Sequence, residues 1–559
     1  MIQFWNKKVF IVAIISLGII ISSDCQTNIP VHVDLPIINI VVGLGLNSEK
    51  KVLATFTIDA GDGISGAMGY DGHCGIELHG NSTLLVDKKS YDIELRDEFG
   101  EEVSRKLLDF SSEEDFILLA QYFDRSHFRN ALAFDLWEKL GHYSPKHRYV
   151  EVHVNGIYQG VYLLAEKIKV DQNRVNLNVS YGTHWHSSDP FLMKLDVGSY
   201  NVPSRTVDLE GNDIYYNLIY PKEVINQGVG NEVIRVTEQV ERSIDNIVLN
   251  RQGIEHYSTN IDVASFADYF LITELSKNPD GYKDSYFYRN RLDVNDPESR
   301  KLHMGPVWDF DLAFGNVDYQ NFRSAEGWAY IQSRESHHVR KFPAFWYKLI
   351  CDPEFIGLCM ERLQEIKTLF PKNDLLNRAG AVHYAMKDDF KKDTELWGEG
   401  SIHTPDLGPL KTSSLDRMVN VINFFWNRLE WIEANLPTIE CNPVEPMKLE
   451  LNYSVLIQPR IESKSFVING PTDEEMGSPI GRYPSDYPQD YTYELMNPMG
   501  EVVQSGPVHG AFSISYENLE PGEYYIEIEN EYYYNMPAVS YWIPTFYLLG
   551  KLIVPENEP

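Results

Sequence analysis

Apolar and polar residues alternate with a period of two through much of the first third of the chain, a pattern typical of β-strands. In KKSYDIEL (residues 88–95) the alternation places Lys89 on one face together with the apolar residues of the segment. The stretch YVEVHVNGIYQGVYLLAEKI (149–168) predicts a hairpin that turns at Asn155-Gly156 and whose second strand ends at Glu166. Strand-like runs dominate as far as about residue 176.

Two segments show the apolar spacing of packed helices. DRSHFRNALAFDLWEKLG (124–141) carries apolar residues at four-residue intervals between an expected N-cap, Ser126, and a terminal glycine. The second helix is expected to begin at Ser265 and to end where Asn278-Pro279 interrupts it. Helices and irregular stretches therefore dominate the chain from about residue 176 to about residue 436.

The stretch GPVWDFDLAFGN (305–316) places two aspartates in an otherwise apolar run. Its alternation predicts a strand with Asp309 and Asp311 on the face opposite the aromatic side chains. The preceding SYFYR and KLHMGPVW segments also indicate strands, and an antiparallel pairing would bring Asp280 beside both aspartates. The alternative is that Asp309 and Asp311 form the solvated face of a half-buried strand, with Asp280 a turn residue before Gly281.

Three carboxylates at one site repel one another unless a cation neutralises them, and such hard oxygen ligands suit Mg²⁺ or Mn²⁺. A lysine across a cleft would complete the parts needed for phosphoryl transfer, because it can contact phosphates while a carboxylate receives the proton of the acceptor hydroxyl. Lys89 is the candidate, and the alternative is a strand-end lysine whose ammonium extends to solvent. No HRD or DFG string supports an ordinary protein kinase.

Composition narrows the class of protein. A chain of 559 residues with 43% hydrophobic content is globular and long enough for two to four domains. Its 81 Asp and Glu against 49 Lys and Arg leave a net charge of -32, which repels phosphate backbones. Nucleic acid is therefore excluded as a general partner, and a nucleotide would need local lysines or bound cations.

The first 25 residues predict a signal peptide, with Lys7 and Lys8 followed by an apolar run from Val9 to Ser22. Simple cleavage is the favoured outcome, and lipidation of Cys25 is the alternative. Both predict a protein that is secreted or held at the cell surface. In the mature chain, Cys351 and Cys359 are close enough in sequence to form a disulfide.

The order of these segments resembles the spore coat protein H (CotH) kinase family, secreted proteins related to the protein-kinase fold. The matching pieces are LHGNST with KKSYDIEL, DRSHFRNALA, VNGIYQGVYLLAEKI, NPDGY with SYFYR, and GPVWDFDLAFGN, and they lie within about residues 36–436. The resemblance implies an α+β chain with a two-lobed protein-kinase-like catalytic domain. Its N-lobe would be β-rich and its C-lobe α-rich.

The resemblance also implies roles for individual residues and a need for ATP with Mg²⁺ or Mn²⁺. Asp280 is similar to the family's catalytic aspartate, and Asp309, with Asp311, is similar to its metal-binding position. Lys89 would contact the nucleotide phosphates. The remaining expected ligands are Asn81, Ser82 and Glu166 for the nucleotide, with Glu166 on the adenine side, and Ser285 for the metal.

Two positions depart from the family pattern. His79 stands where the family typically has Arg before Gly-Asn-Ser, so a permanent positive charge is missing. Ser285 stands where a standard kinase loop offers a metal-binding asparagine, and Asp284 beside it is a substitute ligand. Either change would weaken ATP binding, so a catalytically silent member is the alternative.

Residues 437–447 are expected to be a linker, and residues 448–559 a small all-β sandwich domain. The Tyr-rich strands and final Lys-Leu-Ile-Val resemble the C-terminal sorting domains of outer-membrane secretion systems, which implies a surface tether or secretion machinery as a partner. A carbohydrate-binding or immunoglobulin-like accessory domain is the alternative. The leading function is an exported kinase acting on Ser or Thr hydroxyls of itself or a co-exported protein, and the alternative is a surface adhesin or binding module without catalysis.

Overall fold

The computed structural model describes residues 35–439 with gaps, and separate strands between residues 459 and 554. The gaps in the first range are 44, 62–66, 81, 180–187, 196–200, 208–212, 222–232, 234–255, 294, 318–320, 336–342 and 399–412. The expected signal peptide and Cys25 lie outside the described residues. The described residues divide into two compact units, the first within Met1–Ile168, Phe310–Leu312 and Leu369–Phe424, the second within Lys169–Asp309, Ala313–Thr368 and Phe425–Pro559.

Seven strands of the first unit form a closed barrel in the order β1-β2-β3-β4-β5-β7-β6. They are β1 (Ile37–Val42), β2 (Val52–Asp59), β3 (Tyr70–His79), β4 (Ser90–Arg96), β5 (Asp115–Leu119), β6 (His147–Val154) and β7 (Ile157–Glu166). Neighbouring strands are antiparallel except β1 and β6, which pair in parallel with Ile37 opposite Glu151. This parallel pairing closes the sheet on itself.

The alternating apolar residues of the barrel strands form one core. Ile38, Phe56 and Ile93 are each fully buried in it, and burial of a side chain of this size stabilises a fold by about 1.5–3 kcal/mol. The intervening polar residues of β4 are also largely covered, because Lys51 lies 3.1 Å from an oxygen of Asp92 on the opposite face. The alternation thus separates an apolar interior from a charged outer face.

The local predictions for the first unit hold with one correction. Asn155 and Gly156 both have positive φ, 51° and 76°, and join β6 to β7 as expected. Helix α1 (Arg129–Lys139) begins three residues after the expected N-cap Ser126. The reason is Asp124, whose Oδ1 accepts hydrogen bonds from the backbone N–H and hydroxyl of Ser126 and so holds that residue in the preceding turn.

The second unit contains a five-stranded antiparallel sheet in the order β12-β11-β8-β10-β9. Its strands are β8 (Phe191–Leu195), β9 (Asn201–Val207), β10 (Asp213–Tyr220), β11 (Tyr286–Arg289) and β12 (Leu302–Met304). The expected antiparallel pairing of SYFYR with KLHM is confirmed, with Phe287 opposite Met304. The other α-helices in the described part of the chain are α2 (Val263–Ser276), α3 (Ala329–Glu335), α4 (Ala344–Ile350), α5 (Pro353–Leu369), α6 (Lys372–Trp397) and α7 (Ser414–Asn435).

The C-terminal strands form two antiparallel sheets, β13-β14-β17 and β16-β15-β18-β19. Their bounds are β13 (Pro459–Arg460), β14 (Ser465–Asn469), β15 (Tyr491–Met496), β16 (Val502–Val508), β17 (Ala511–Ser515), β18 (Gly522–Met536) and β19 (Val539–Val554). The described parts of the Tyr-rich segment, 532–536 and 539–547, lie in the paired strands β18 and β19, with Tyr532 opposite Ile543. Most of the expected linker, residues 440–447, lies outside the described residues.

The protein is α+β, but the expected two-lobed protein-kinase-like fold is wrong. The β-rich half is a closed seven-stranded barrel, because β1 returns to pair with β6. The second unit is built on a five-stranded sheet of its own together with helices, so it is not the mainly helical lobe that was expected. None of the described helices is both long and apolar enough to cross a membrane.

The cysteine spacing was also misleading. Cys74 and Cys359 are buried free thiols, whereas Cys351 is disulfide-bonded. The expected bond between Cys351 and Cys359 is therefore wrong.

Candidate active site

The C-terminal end of helix α2 leads into the residues expected to carry the chemistry. Asp262 caps the start of the helix, where its Oδ1 accepts a hydrogen bond of 2.7 Å from the backbone N–H of Ser265. The helix ends at Lys277, which adopts the left-handed conformation with φ 49°. Its Nζ donates to the backbone carbonyls of Asn321, Ser324 and Glu326 at 2.5–2.9 Å. These contacts fix the point at which the following loop begins.

The segment GPVWDFDLAFGN does not continue as a strand beyond β12, contrary to the alternation. Its Gly305-Pro306 peptide bond is cis, and Asp309 has φ 65°, in the left-handed region. The segment therefore turns at Asp309. Asp309 is exposed and Phe310 is buried. The two aspartates fall in different compact units, Asp309 in the second and Asp311 in the first.

One amide side chain joins Asp280 to Asp309 in the second unit. Asn278 Nδ2 donates to the backbone carbonyl of Asp309 at 2.9 Å, and Asn278 Oδ1 accepts from the backbone N–H of Asp280 at 3.1 Å. Asn278 is almost fully buried, so these bonds fix both backbones. The structure thus brings Asp280 and Asp309 together, as the antiparallel pairing of β11 and β12 predicted.

The carboxylates of this site are arranged around Lys283, a residue that was not singled out from the sequence. Lys283 Nζ lies 2.5 Å from Asp280 Oδ1, and both side chains are partly buried. Burial alone would lower the pKa of Lys283, but the charge of Asp280, with smaller contributions from Asp284 and Asp309, outweighs burial and raises it above its usual value. Lys283 is therefore a protonated cation among three carboxylates. The group Asp280, Lys283, Asp284 and Asp309 is called the Lys283 cluster below.

A second lysine lies beside the same cluster. Lys194 of β8 has its Nζ 3.3 Å from Asp284 Oδ1. The backbone N–H of Asp284 donates to the carbonyl of Asp280 at 3.0 Å, which sets the loop as a single turn. Asp284 therefore lies on the β8 side of the cluster and forms an ion pair with Lys194.

The donor set of the Lys283 cluster fits a hard divalent cation in chemistry, because it offers carboxylate oxygens with a strong attraction for positive charge. The carboxylates of the cluster do not form a preassembled chelate. In the described part of the chain, the only trio of His, Cys, Asp or Glu with ligand atoms within 4.8 Å of one another is Glu113, Glu114 and Asp115, on and beside β5. Within the Lys283 cluster, Asp280 is paired with Lys283 and Asp284 with Lys194, and the three carboxylates do not form a close trio.

Ser285, expected as a metal ligand, is fully buried at the start of β11. The hydroxyl of Ser285 has no hydrogen-bond partner among the described residues, and the hydroxyl of nearby Tyr269, on α2, donates to the carbonyl of Gly281 at 2.8 Å. Burial raises the pKa of Tyr269, and nearby Asp284 raises it further. Ser285 thus lies behind the loop that carries Asp280 and Asp284.

The residues expected to bind the nucleotide lie in the first unit. Lys89 precedes β4, and its Nζ donates to the carbonyl of Leu84 at 2.7 Å. Glu166 ends β7, and its Oε2 accepts from the backbone N–H of Lys146 at 3.0 Å. Ser82 begins a short 3₁₀-helix, and Asn81 lies outside the described residues. Their roles in nucleotide binding stay predictions.

The buried lysine of the KKSYDIEL segment is Lys88, not Lys89. Lys88 is 1% exposed and donates to Asp393 Oδ1 at 2.6 Å and to the carbonyl of Val161 at 2.7 Å. His127 Nε2 lies 3.4 Å from the other oxygen of Asp393. Burial would raise the pKa of Asp393, but Lys88 and His127 lower it well below its usual value. Sequence could not have revealed this pair, because 305 residues separate its members.

The fold and site together define an α+β protein with a cluster of carboxylates and lysines on the loop after α2. The family model described as CotH kinase protein matches residues 76–432, and the chain belongs to this family. That match spans 64% of the chain and includes both the barrel residues from Ile76 onward and the Lys283 cluster. A comparison with curated proteins found no match.

Proposed function

We propose that this protein is an exported, metal-dependent phosphotransferase that transfers the γ-phosphate of ATP to Ser or Thr hydroxyls, on itself or on a co-exported protein. The observation that carries the proposal is the Lys283 cluster, in which Asp280 and Asp309 are joined through Asn278. Membership of the CotH kinase family supports ATP and a divalent metal as the general requirements.

In the proposed reaction Asp280 accepts the proton of the acceptor hydroxyl and orients it. The Asn278 amide holds the backbone of Asp280 in place, and this positioning keeps the carboxylate near the position of attack. Asp309 would hold the Mg²⁺ or Mn²⁺. The metal would supply positive charge that neutralises the transferring phosphoryl group.

The second candidate is a catalytically silent surface adhesin or binding module. One observation favours it: Asp280 and Asp284 are each paired with a lysine. Family membership is compatible with both candidates. Only the first requires Asp280 and Asp309 to act on a bound nucleotide.

The test is incubation of the purified protein with γ-labelled ATP and Mg²⁺ or Mn²⁺, compared with Asp309→Ala. We expect label on protein with the wild type and none above background with the variant. Asp293→Ala is the matched control, because Asp293 is an exposed aspartate of the same unit outside the cluster. No transfer by the wild type, together with no metal-dependent thermal shift from ATP, would overturn the proposal in favour of the silent binding module.

A further inference from the structure

The ammonium of Lys283 supplies positive charge beside the carboxylates of the Lys283 cluster. Its ammonium is 2.5 Å from Asp280 Oδ1, and its charge interacts with Asp284 and Asp309 as well. Its side chain is only 29% exposed, and that of Asp280 is 22% exposed. Solvent therefore screens the group incompletely, and the ammonium relieves much of the repulsion among the three carboxylates.

The spacing of the carboxylates is consistent with this role. The three carboxylates of the cluster do not have oxygens that all lie within 4.8 Å of one another. A lysine reaches its partners through a flexible four-carbon stem, so its ammonium can leave without a change in the backbone. The loop itself is held by Asn278 and by the bond from Asp284 N–H to the Asp280 carbonyl.

We propose that Lys283 is an internal counter-ion that occupies the cation position of the Lys283 cluster and is displaced when a divalent metal binds. The inference rests on the proposed function, because it takes the cluster to be the metal site. Binding of the metal and release of the Lys283 ammonium are then thermodynamically coupled. The lysine holds the empty site together and lowers its apparent affinity for metal, so the site fills only when the metal concentration is high enough to compete.

The first test is calorimetric titration of the full chain with Mn²⁺, without nucleotide. Lys283→Met should bind Mn²⁺ roughly 5- to 10-fold more tightly than the wild type, because no ammonium has to be displaced. Lys301→Met is the matched control, since Lys301 forms a comparable i,i+3 pair with Glu298 at 2.7 Å outside the cluster. Its affinity for Mn²⁺ should equal that of the wild type.

The second measurement follows the accessibility of the Lys283 amine directly. A short pulse of an amine-acylating reagent, followed by mass spectrometry, should show greater modification of Lys283 with saturating Mn²⁺ than without it. Modification of Lys301 should be the same in both conditions. This readout needs no variant, so it remains valid if Lys283→Met lowers the stability of the loop.

The outcomes separate the inference from the proposed function. Tighter Mn²⁺ binding by Lys283→Met together with metal-dependent exposure of Lys283 supports both. Equal or weaker binding by the variant, with binding still lost in Asp309→Ala, overturns the counter-ion role and leaves the metal site in place. Failure of the wild type and Lys283→Met alike to bind Mn²⁺ overturns the inference and the metal site of the proposed function together.

Discussion

Substitution of Lys88 by Met removes the lysine that pairs with Asp393 inside the first unit while keeping a side chain of similar length. Lys88 Nζ donates to Asp393 Oδ1 and to the carbonyl of Val161, and it lies 4.8 Å from the centre of the Tyr162 ring. In the variant, the Asp393 carboxylate keeps only its hydrogen bond from the Val161 N–H and its contact with His127. The carboxylate remains buried and has lost its principal counter-charge.

The expected loss of stability is large because both groups are 1% exposed. Removing one member of a buried ion pair costs roughly 3–5 kcal/mol, since an uncompensated charge remains. Adding Asp393→Asn should restore part of this loss. The amide carries no charge and can still accept the 2.9 Å hydrogen bond from the Val161 N–H.

The assay is urea denaturation combined with hydrogen exchange of the β7 amides, which report on the first unit alone. The matched control is Lys391→Met on the same helix α6, because Lys391 pairs with Glu395 at the surface. Both of those side chains are more than 60% exposed, so the control should cost less than about 0.5 kcal/mol. A loss for Lys88→Met no greater than that of Lys391→Met would refute the reasoning, as would a double variant that is less stable than Lys88→Met alone.

Three further predictions concern stability. Burial raises the pKa of Asp135 from 3.8 to about 6 despite its Arg378 partner, so the native state binds more protons than the unfolded state between these pH values. The free energy of unfolding should therefore fall by ~3 kcal/mol as pH rises from about 4 to 6. Urea titrations at several pH values should show that this pH dependence is missing in Asp135→Asn. Gly160→Ala should destabilise the first unit by at least ~1 kcal/mol, since Gly160 has φ 102° and an added Cβ would overlap Asp393 Oδ1; an unchanged urea midpoint would contradict this. Arg428→Met should lower the stability of the second unit by roughly 3–5 kcal/mol, because it leaves the fully buried Glu274 carboxylate without the guanidinium 3.1 Å away. Hydrogen exchange of the α2 amides provides the measurement, and protection equal to that of the wild type would refute this prediction.

Short-range signals predicted the parts of the fold that depend on neighbours in sequence. Asn155-Gly156 specified a hairpin, since both residues tolerate positive φ. The break at Asn278-Pro279 placed the end of α2 within two residues of Ser276. The antiparallel pairing of β11 with β12 correctly brought Asp280 near Asp309. Each of these features is set by the preferences of a few adjacent residues.

Features that depend on distant partners were not predictable from one sequence. The barrel closes because Ile37 pairs with Glu151, more than a hundred residues away, and no periodicity encodes that contact. The alternation in GPVWDFDLAFGN indicated a strand, but the left-handed turn at Asp309 redirects it. Lys283 was overlooked because a lysine in a polar loop is ordinarily solvated, and only the fold shows it among three carboxylates.

The most direct test of the central claim is a single-turnover measurement of labelled phosphate transfer from ATP at saturating Mn²⁺, by the wild type, Asp280→Asn and Asp296→Asn. Asp296 is an exposed helix cap whose role Asn can fill, so its variant should match the wild type. Asp280→Asn should be at least about 10²-fold slower, because it lacks the carboxylate that accepts the hydroxyl proton. Transfer by Asp280→Asn at the wild-type rate, or no transfer by the wild type, would contradict the assignment of the Lys283 cluster as the catalytic site.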